Sequence, residues 1–281
     1  MRERRERRRF TGQAVLTSLG IGLMVLILFI AFFPEAVTSQ SYDEQNLRQR
    51  LLPPVWGQNG AWEHPLGTDH LGRDLWARIV FGARVSMVIA IGAVLVAGVL
   101  GTTLGIVAGF HGGLLDEIIM RLADIQLSFS PILLIIAIMA VIGKSLQNMI
   151  LVLGLVSWVQ YARVARGAAL SIKGRSYIEA AQAIGVPDVR LMVRHILPGM
   201  LPTLLVLAAL NTSQQILNES ALSFLGLGVQ PPTPAWGSML NQGREYFQVA
   251  WWNAVLPGMA ILLSVLGINL IGDGLSERIT S

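Results

Sequence analysis

Four groups of residues in this chain have types and spacings suited to chemistry. His64, Asp69, His70 and Asp74 put two imidazoles and two carboxylates close together in sequence, a donor set that a divalent metal accepts. Pro65, Gly67 and Gly72, interleaved with them, favour another reading: a turn-rich loop closed by local side-chain bonds, with no metal ligated. Gly143-Lys144-Ser145 looks like the end of a phosphate-binding loop. That motif requires a glycine five residues before its second glycine, and the position is Ile138. Asn211, Gln215 and Asn218 fall at i, i+4 and i+7, one face of a helix; such amides either bond neighbouring helices or line a wet passage. The fourth group is the run from Ser176 to Asp188. Ser176 and Glu179 have capping-box spacing, Ala180 and Ala181 favour helix, and Gly185 is placed to end it in a left-handed conformation. Pro187 and Asp188 then suit the first turn of a second helix. A compact apolar helix between sharp turns suits a groove in another protein. No catalytic residue is assigned, because paired aspartates, His-Glu-x-x-His and Gly-x-Ser-x-Gly do not occur.

The elements that must hold these groups are set by the composition. Apolar residues make up 53% of the chain and charged residues 14%, too few to cover a soluble globule, which typically carries about 25% charged residues. Mean hydropathy is +0.58. There is no cysteine, which excludes disulfides, thiolate metal sites and cysteine nucleophiles. Charge-poor runs at 14–33, 85–110, 125–143, 145–162, 196–218 and 246–272 are each of bilayer-spanning length. The backbone in lipid must satisfy its own hydrogen bonds, and barrel-type alternation is absent, so the fold class is an all-α polytopic membrane protein with six transmembrane helices. Lys144 alone separates the third and fourth runs, which read as a tight helical hairpin.

Charge at the span ends sets the orientation. Six of the 21 basic residues are Arg2, Arg4, Arg5, Arg7, Arg8 and Arg9, so the remainder of a chain of net charge +4 is nearly neutral. That pattern marks a cytoplasmic amino terminus and a lipid membrane, not a nucleic-acid partner. The first apolar run is longer than a signal-peptide core of roughly 7–15 residues, so it is read as a retained helix. The segment between spans four and five carries Arg163, Arg166, Lys173, Arg175, Arg190 and Arg194 and falls on the same side, as does the carboxyl end. The organisation expected is a cytoplasmic Arg-rich tail at 1–13, a first span at 14–33 and an outer loop at 34–84. A five-helix core at 85–273 follows, with a cytoplasmic loop at 163–195, then a cytoplasmic tail at 274–281.

Within the second span, Ala93, Ala97, Gly101, Gly105 and Gly109 recur every four residues, a groove for close helix packing. The six runs lack Glu, Lys, Arg and His, and Asp occurs only at the edge, as Asp124. A carrier driven by ions or protons holds titratable groups at membrane depth, so an ion-coupled secondary carrier is disfavoured and the energy is expected from a partner. A membrane scaffold without transport is disfavoured by the amides of span five.

Glu179-Ala180-Ala181, Gly185 and Leu197-Pro198 resemble the EAA loop of ABC-importer permeases. His195 departs from that pattern, which has isoleucine there. His64-Pro-Leu-Gly-Thr-Asp-His-Leu-Gly-Arg-Asp74 is similar to the segment before span two in C-type permeases of the dipeptide, oligopeptide and nickel uptake group. Ala221-Leu-Ser-Phe-Leu-Gly-Leu-Gly228, Pro231-Pro232 and Trp236-Gly237 are similar to the same group. The resemblance implies a type I ABC importer permease of the prokaryotic inner membrane, providing half of a translocation pathway. It implies a homologous second permease, two cytoplasmic ATPases that bind ATP with magnesium, and an external substrate-binding protein as partners. No cofactor is expected on this chain. Glu179, Ala180, Ala181, Gly185 and Pro187 are then the ATPase-coupling residues. Peptides, nickel chelates, opines and glutathione-like molecules all remain compatible cargoes.

Overall fold

The computed structural model describes the backbone of residues 2–280 and the side chains of 15–277; the Arg-rich side chains of the amino-terminal tail lie outside that range. The helices are α1 (Arg2–Phe32), α2 (Pro34–Val37), α3 (Leu75–His111), α4 (Gly113–Leu127), α5 (Pro131–Ile142), α6 (Leu146–Lys173), α7 (Ser176–Ala183), α8 (Asp188–Leu191), α9 (Leu197–Phe224), α10 (Trp236–Arg244) and α11 (Trp252–Thr280). A π-helical turn, Met192–Ile196, joins α8 to α9 without a break.

Among the described residues, five helices are long and apolar enough to span a bilayer, and a sixth span exists if the bent pair α4–α5 is counted as one. The third expected span, 125–143, is therefore not a straight helix. Gly113–Leu127 and Pro131–Ile142 meet at 90°. Ser128, Phe129 and Ser130 form the corner, and Pro131 restarts the chain at a first-turn position where its missing N–H is harmless.

Other boundaries also move: the last expected span, 246–272, is helix α11 from Trp252 to Thr280, which takes in most of the tail expected at 274–281, and α1 reaches back to Arg2. α3 begins at Leu75, so 75–84 belongs to the helix and not to the outer loop. The Asp74 carboxylate caps it, accepting from Ala77 N–H at 2.7 Å. The long helix α6 runs to Lys173 and the next span begins at Asp188, which shortens the loop expected at 163–195 to its middle, where α7 lies. α9 continues past Asn218 to Phe224 and carries Glu219 inside the bundle, so the charge that ended the apolar run does not end the helix. Fully buried, the Glu219 carboxylate accepts from Ser86 Oγ at 3.0 Å and Ser223 Oγ at 2.7 Å, tying α3 to α9.

The bundle is organised around the α3–α6 seam. Ala93, Ala97, Gly101, Gly105 and Gly109 are all buried. A Cβ on Gly101 would stand 2.2 Å from the Trp158 carbonyl, and one on Gly105 2.3 Å from that of Ala162. The expected groove is thus filled by the backbone of α6, and Ala162, Ala165 and Ala169 supply its small face. A second cluster packs α1, α3, α10 and α11 about Met24, Met87, Trp236 and Trp252.

Candidate functional site

The α7 segment leaves the bundle and is anchored to it chiefly by Ile178, with Ala181 and Val186 packed beside it. Ile178 is fully buried in a cluster with Phe110, Ile172, Leu191, Ile196 and Met200, so α7 reports the positions of the ends of α3, α6 and α9. Burying such a side chain contributes about 1.5–3 kcal/mol. Lys173 Nζ donates to the Phe110 carbonyl at 2.6 Å and fixes the α3 and α6 ends to each other. The other face of α7 is turned outward, with Glu179 and Ala180 exposed and Ala181 half-buried. Ile184 at the tip is 82% exposed and Val189 is 67% exposed. Apolar side chains so placed lie ready to be covered by a partner.

Gly185 closes α7 as the sequence requires. Its φ is +82°, its N–H donates to Gln182 O at 2.9 Å, and Val186 N–H reaches Ala181 O at 3.1 Å. These two bonds are the Schellman pattern, in which a left-handed residue satisfies the last carbonyls of a helix. Pro187 caps α8 rather than occupying its first turn, and Asp188 stands in that turn. The capping box of Ser176 and Glu179 does not form. The helix starts one residue earlier than the box needs, with Arg175 as the cap and Glu179 N–H bonded to the Arg175 carbonyl. The Glu179 carboxylate is consequently free for another partner. His195, the departure from the family pattern, lies in the π-turn with its ring centroid 6.2 Å from that of Tyr177.

The three amides of α9 do not share one environment. Asn211 is buried and donates to Leu207 O of its own helix at 3.2 Å. Gln215 is buried and donates to Ser157 Oγ of α6 at 2.6 Å. Asn218 is half-buried, accepting from the exposed Gln214 at 3.1 Å. The structure thus directs Asn211 and Gln215 into the bundle and leaves Gln214 and Asn218 at its surface. The i, i+4, i+7 spacing does not include Gln214, although its side chain bonds Asn218 at the exposed surface.

At the opposite end of the bundle, the His64–Asp74 segment forms a folded cap. His64 Nδ1 lies 2.9 Å from Asp74 Oδ2, and Asp69 accepts from Arg73 Nε at 2.6 Å. Gln242 of α10 accepts from Arg73 Nη2 at 3.2 Å and Arg78 Nη2 at 3.3 Å, locking the cap to α3 and α10. Three of the four residues first considered as metal donors thus spend their polar atoms on structure.

Five or six apolar helices with a loop helix held at one end of the bundle are the architecture of a polytopic membrane protein. The chain belongs to the family of binding-protein-dependent transport system inner membrane components, which it matches over residues 101–281. It is 43% identical over 260 residues to the di/tripeptide transport system permease protein DppC of Pseudomonas aeruginosa, covering 92% of this chain and 86% of that one. It is 39% identical to the glutathione transport system permease protein GsiD of Pectobacterium atrosepticum, covering 97% and 88%. In fold it is similar to a chain of the MetNI methionine ABC transporter in inward-facing conformations, with a TM-score of 0.59 and 19% identity over 74% of this chain and 98% of that one. The protein is an inner-membrane, multi-pass permease subunit of an ABC importer and not its ATPase; ATPase and binding-protein partners follow from that class. Its membership in this family sets aside the ion-coupled carrier and the scaffold.

Proposed function

We propose that this permease carries short peptides, delivered by an external binding protein, through half of a pathway completed by a homologous second permease. Two ATPases, binding ATP with magnesium, dock on the α7 side. Both termini and α7 face the cytoplasm, a reading supported by the basic residues between spans four and five. No cofactor resides on this chain. The peptide reading is supported by the names of its relatives, and the coupling reading by α7 itself. Glu179, Ala180, Ala181, Gly185 and Pro187 form the docking turn, with exposed Ile184 as its apolar tip. Movement of a docked ATPase reaches the spans through Ile178. In the pathway, Asn218 borders the passage while Asn211 and Gln215 hold α9 in place behind it.

The test is reconstitution with and without the ATPases, reading dipeptide uptake and ATPase co-purification. Gly185→Val forces a β-branched residue into a left-handed conformation at about 1–2 kcal/mol and reorients the turn. It should leave membrane levels normal while ATPase association and uptake fall together. Retention of both would remove α7 from the coupling role.

A further inference from the structure

Resting on that reading of the protein as a peptide permease, we infer that a charged and amide-lined face on α4, α6 and α9 is the cargo-contacting wall, and that Asp124 and Arg163 form an exchangeable pair for the ammonium and carboxylate termini of a zwitterionic peptide. Arg163 Nη2 bonds Asp124 Oδ1 at 2.6 Å, and both side chains are more than half exposed. Arg163 is ten residues from the carboxyl end of α6, about 15 Å along the helix at 1.5 Å per residue. A headgroup contact explains a basic residue at a helix end, but the polar surface does not stop at Arg163. It continues deeper through exposed Gln160, one turn away, to Ser157, which is bonded to Gln215. From there it passes to Asn218 and Gln214. Ser128 at the α4–α5 corner is exposed as well.

Lipid cannot solvate this surface. Charges and free amides at membrane depth face an interior or a wet cavity. On the same helix α6, Leu151 and Leu155 are half exposed and suit hydrocarbon. A peptide with free termini supplies one positive and one negative group. It can therefore replace each partner of the Asp124–Arg163 pair with an equivalent charge, leaving neither unpaired. An exposed pair is weak enough to open.

The native chain has no cysteine, so single cysteines report without background from this subunit. In the assembled complex, Gln160→Cys and Asn218→Cys should react with a membrane-impermeant thiosulfonate and Leu155→Cys should not. No reaction at the first two, or equal reaction at all three, overturns the wall. Arg163→Gln and Asp124→Asn should each lower uptake of radiolabelled alanyl-alanine by about tenfold, which corresponds to about 1.4 kcal/mol of barrier. Stimulation of the ATPase by the binding protein should persist. Wild-type uptake rates in both variants overturn the cargo role. Joint loss of uptake and ATPase stimulation overturns it too, since that marks a structural gate. A wild-type complex that hydrolyses ATP but takes up no dipeptide breaks the peptide reading instead, and the labelling pattern still decides whether the face is wet.

Discussion

The cap and the α4–α6 face both pair aspartate with arginine, and they use the pairing differently; beside the Asp124–Arg163 pair, Arg166 on the same two helices bonds both oxygens of Asp116. In the cap, Asp69 is 7% exposed and its partners Arg73 and Arg78 are 3% and 2% exposed. On the α4–α6 face, Asp124 is 64% exposed and Arg163 52%. The cap pair is surrounded by further bonds: Asp69 Oδ1 accepts from the N–H groups of Leu71 at 2.8 Å and Arg73 at 3.0 Å, and Gln242 takes both guanidinium groups. The face pair has no such surround. Breaking a buried pair leaves an uncompensated charge without water, whereas an exposed pair exchanges its partner for solvent or another ion. The same two residue types therefore fasten one end of the bundle and remain available in its middle.

Asp69→Ala should break the comparison at its stronger side. It strands Arg73 and Arg78 in the cap, a loss of about 3–5 kcal/mol. Thermal unfolding of the purified complex should shift downward, and the segment before α3 should become sensitive to protease. Asp74→Ala comes next. It removes the α3 cap, which contributes about 0.5–2 kcal/mol, and takes away the partner of His64 Nδ1. Thermal unfolding checks it on the same scale. Asp124→Asn should cost about 0–1 kcal/mol of stability, while its effect appears in uptake. A destabilisation as large as that of Asp69→Ala would erase the distinction between the two regions.

How much of this was legible in the sequence follows from the physics of each signal. Spans are read from apolar length, and the α3 groove from a repeat of four, because each depends on one helix alone. Gly185 was legible for the same reason: a left-handed terminator acts locally. The α4–α5 corner was missed although Ser128, Ser130 and Pro131 carry the signal, because the apolar count runs across it. Glu219 ended the fifth run on paper, yet three serines from two helices shelter it, and no local pattern announces a tertiary partner. The capping box failed by one residue, within the uncertainty of any helix start. The spacing of the α9 amides marks one helix face but not its burial: Asn211 and Gln215 are buried, and Asn218 is half-buried. Gln215 finds Ser157, a contact 58 residues away.

The smallest effect concerns the pH response of the cap. His70 stacks on Tyr246 with ring centroids 5.4 Å apart and planes 9° from parallel. Burial pushes its imidazole below the ordinary value of 6.5. Arg73 and Arg78 push the same way, and Asp69 and Glu245 oppose them. The folded state therefore holds His70 neutral where an unfolded chain would begin to take up a proton. The resulting stability is complete above 6.5, starts to fall as the pH drops past that value, and is lost once the pH has passed through the depressed folded value. His70→Gln keeps a polar planar group against Tyr246 and removes the titration. Unfolding temperatures of the complex measured above and below 6.5 should decline more steeply with acidity in the native protein than in His70→Gln. Equal slopes would place the acid sensitivity outside His70.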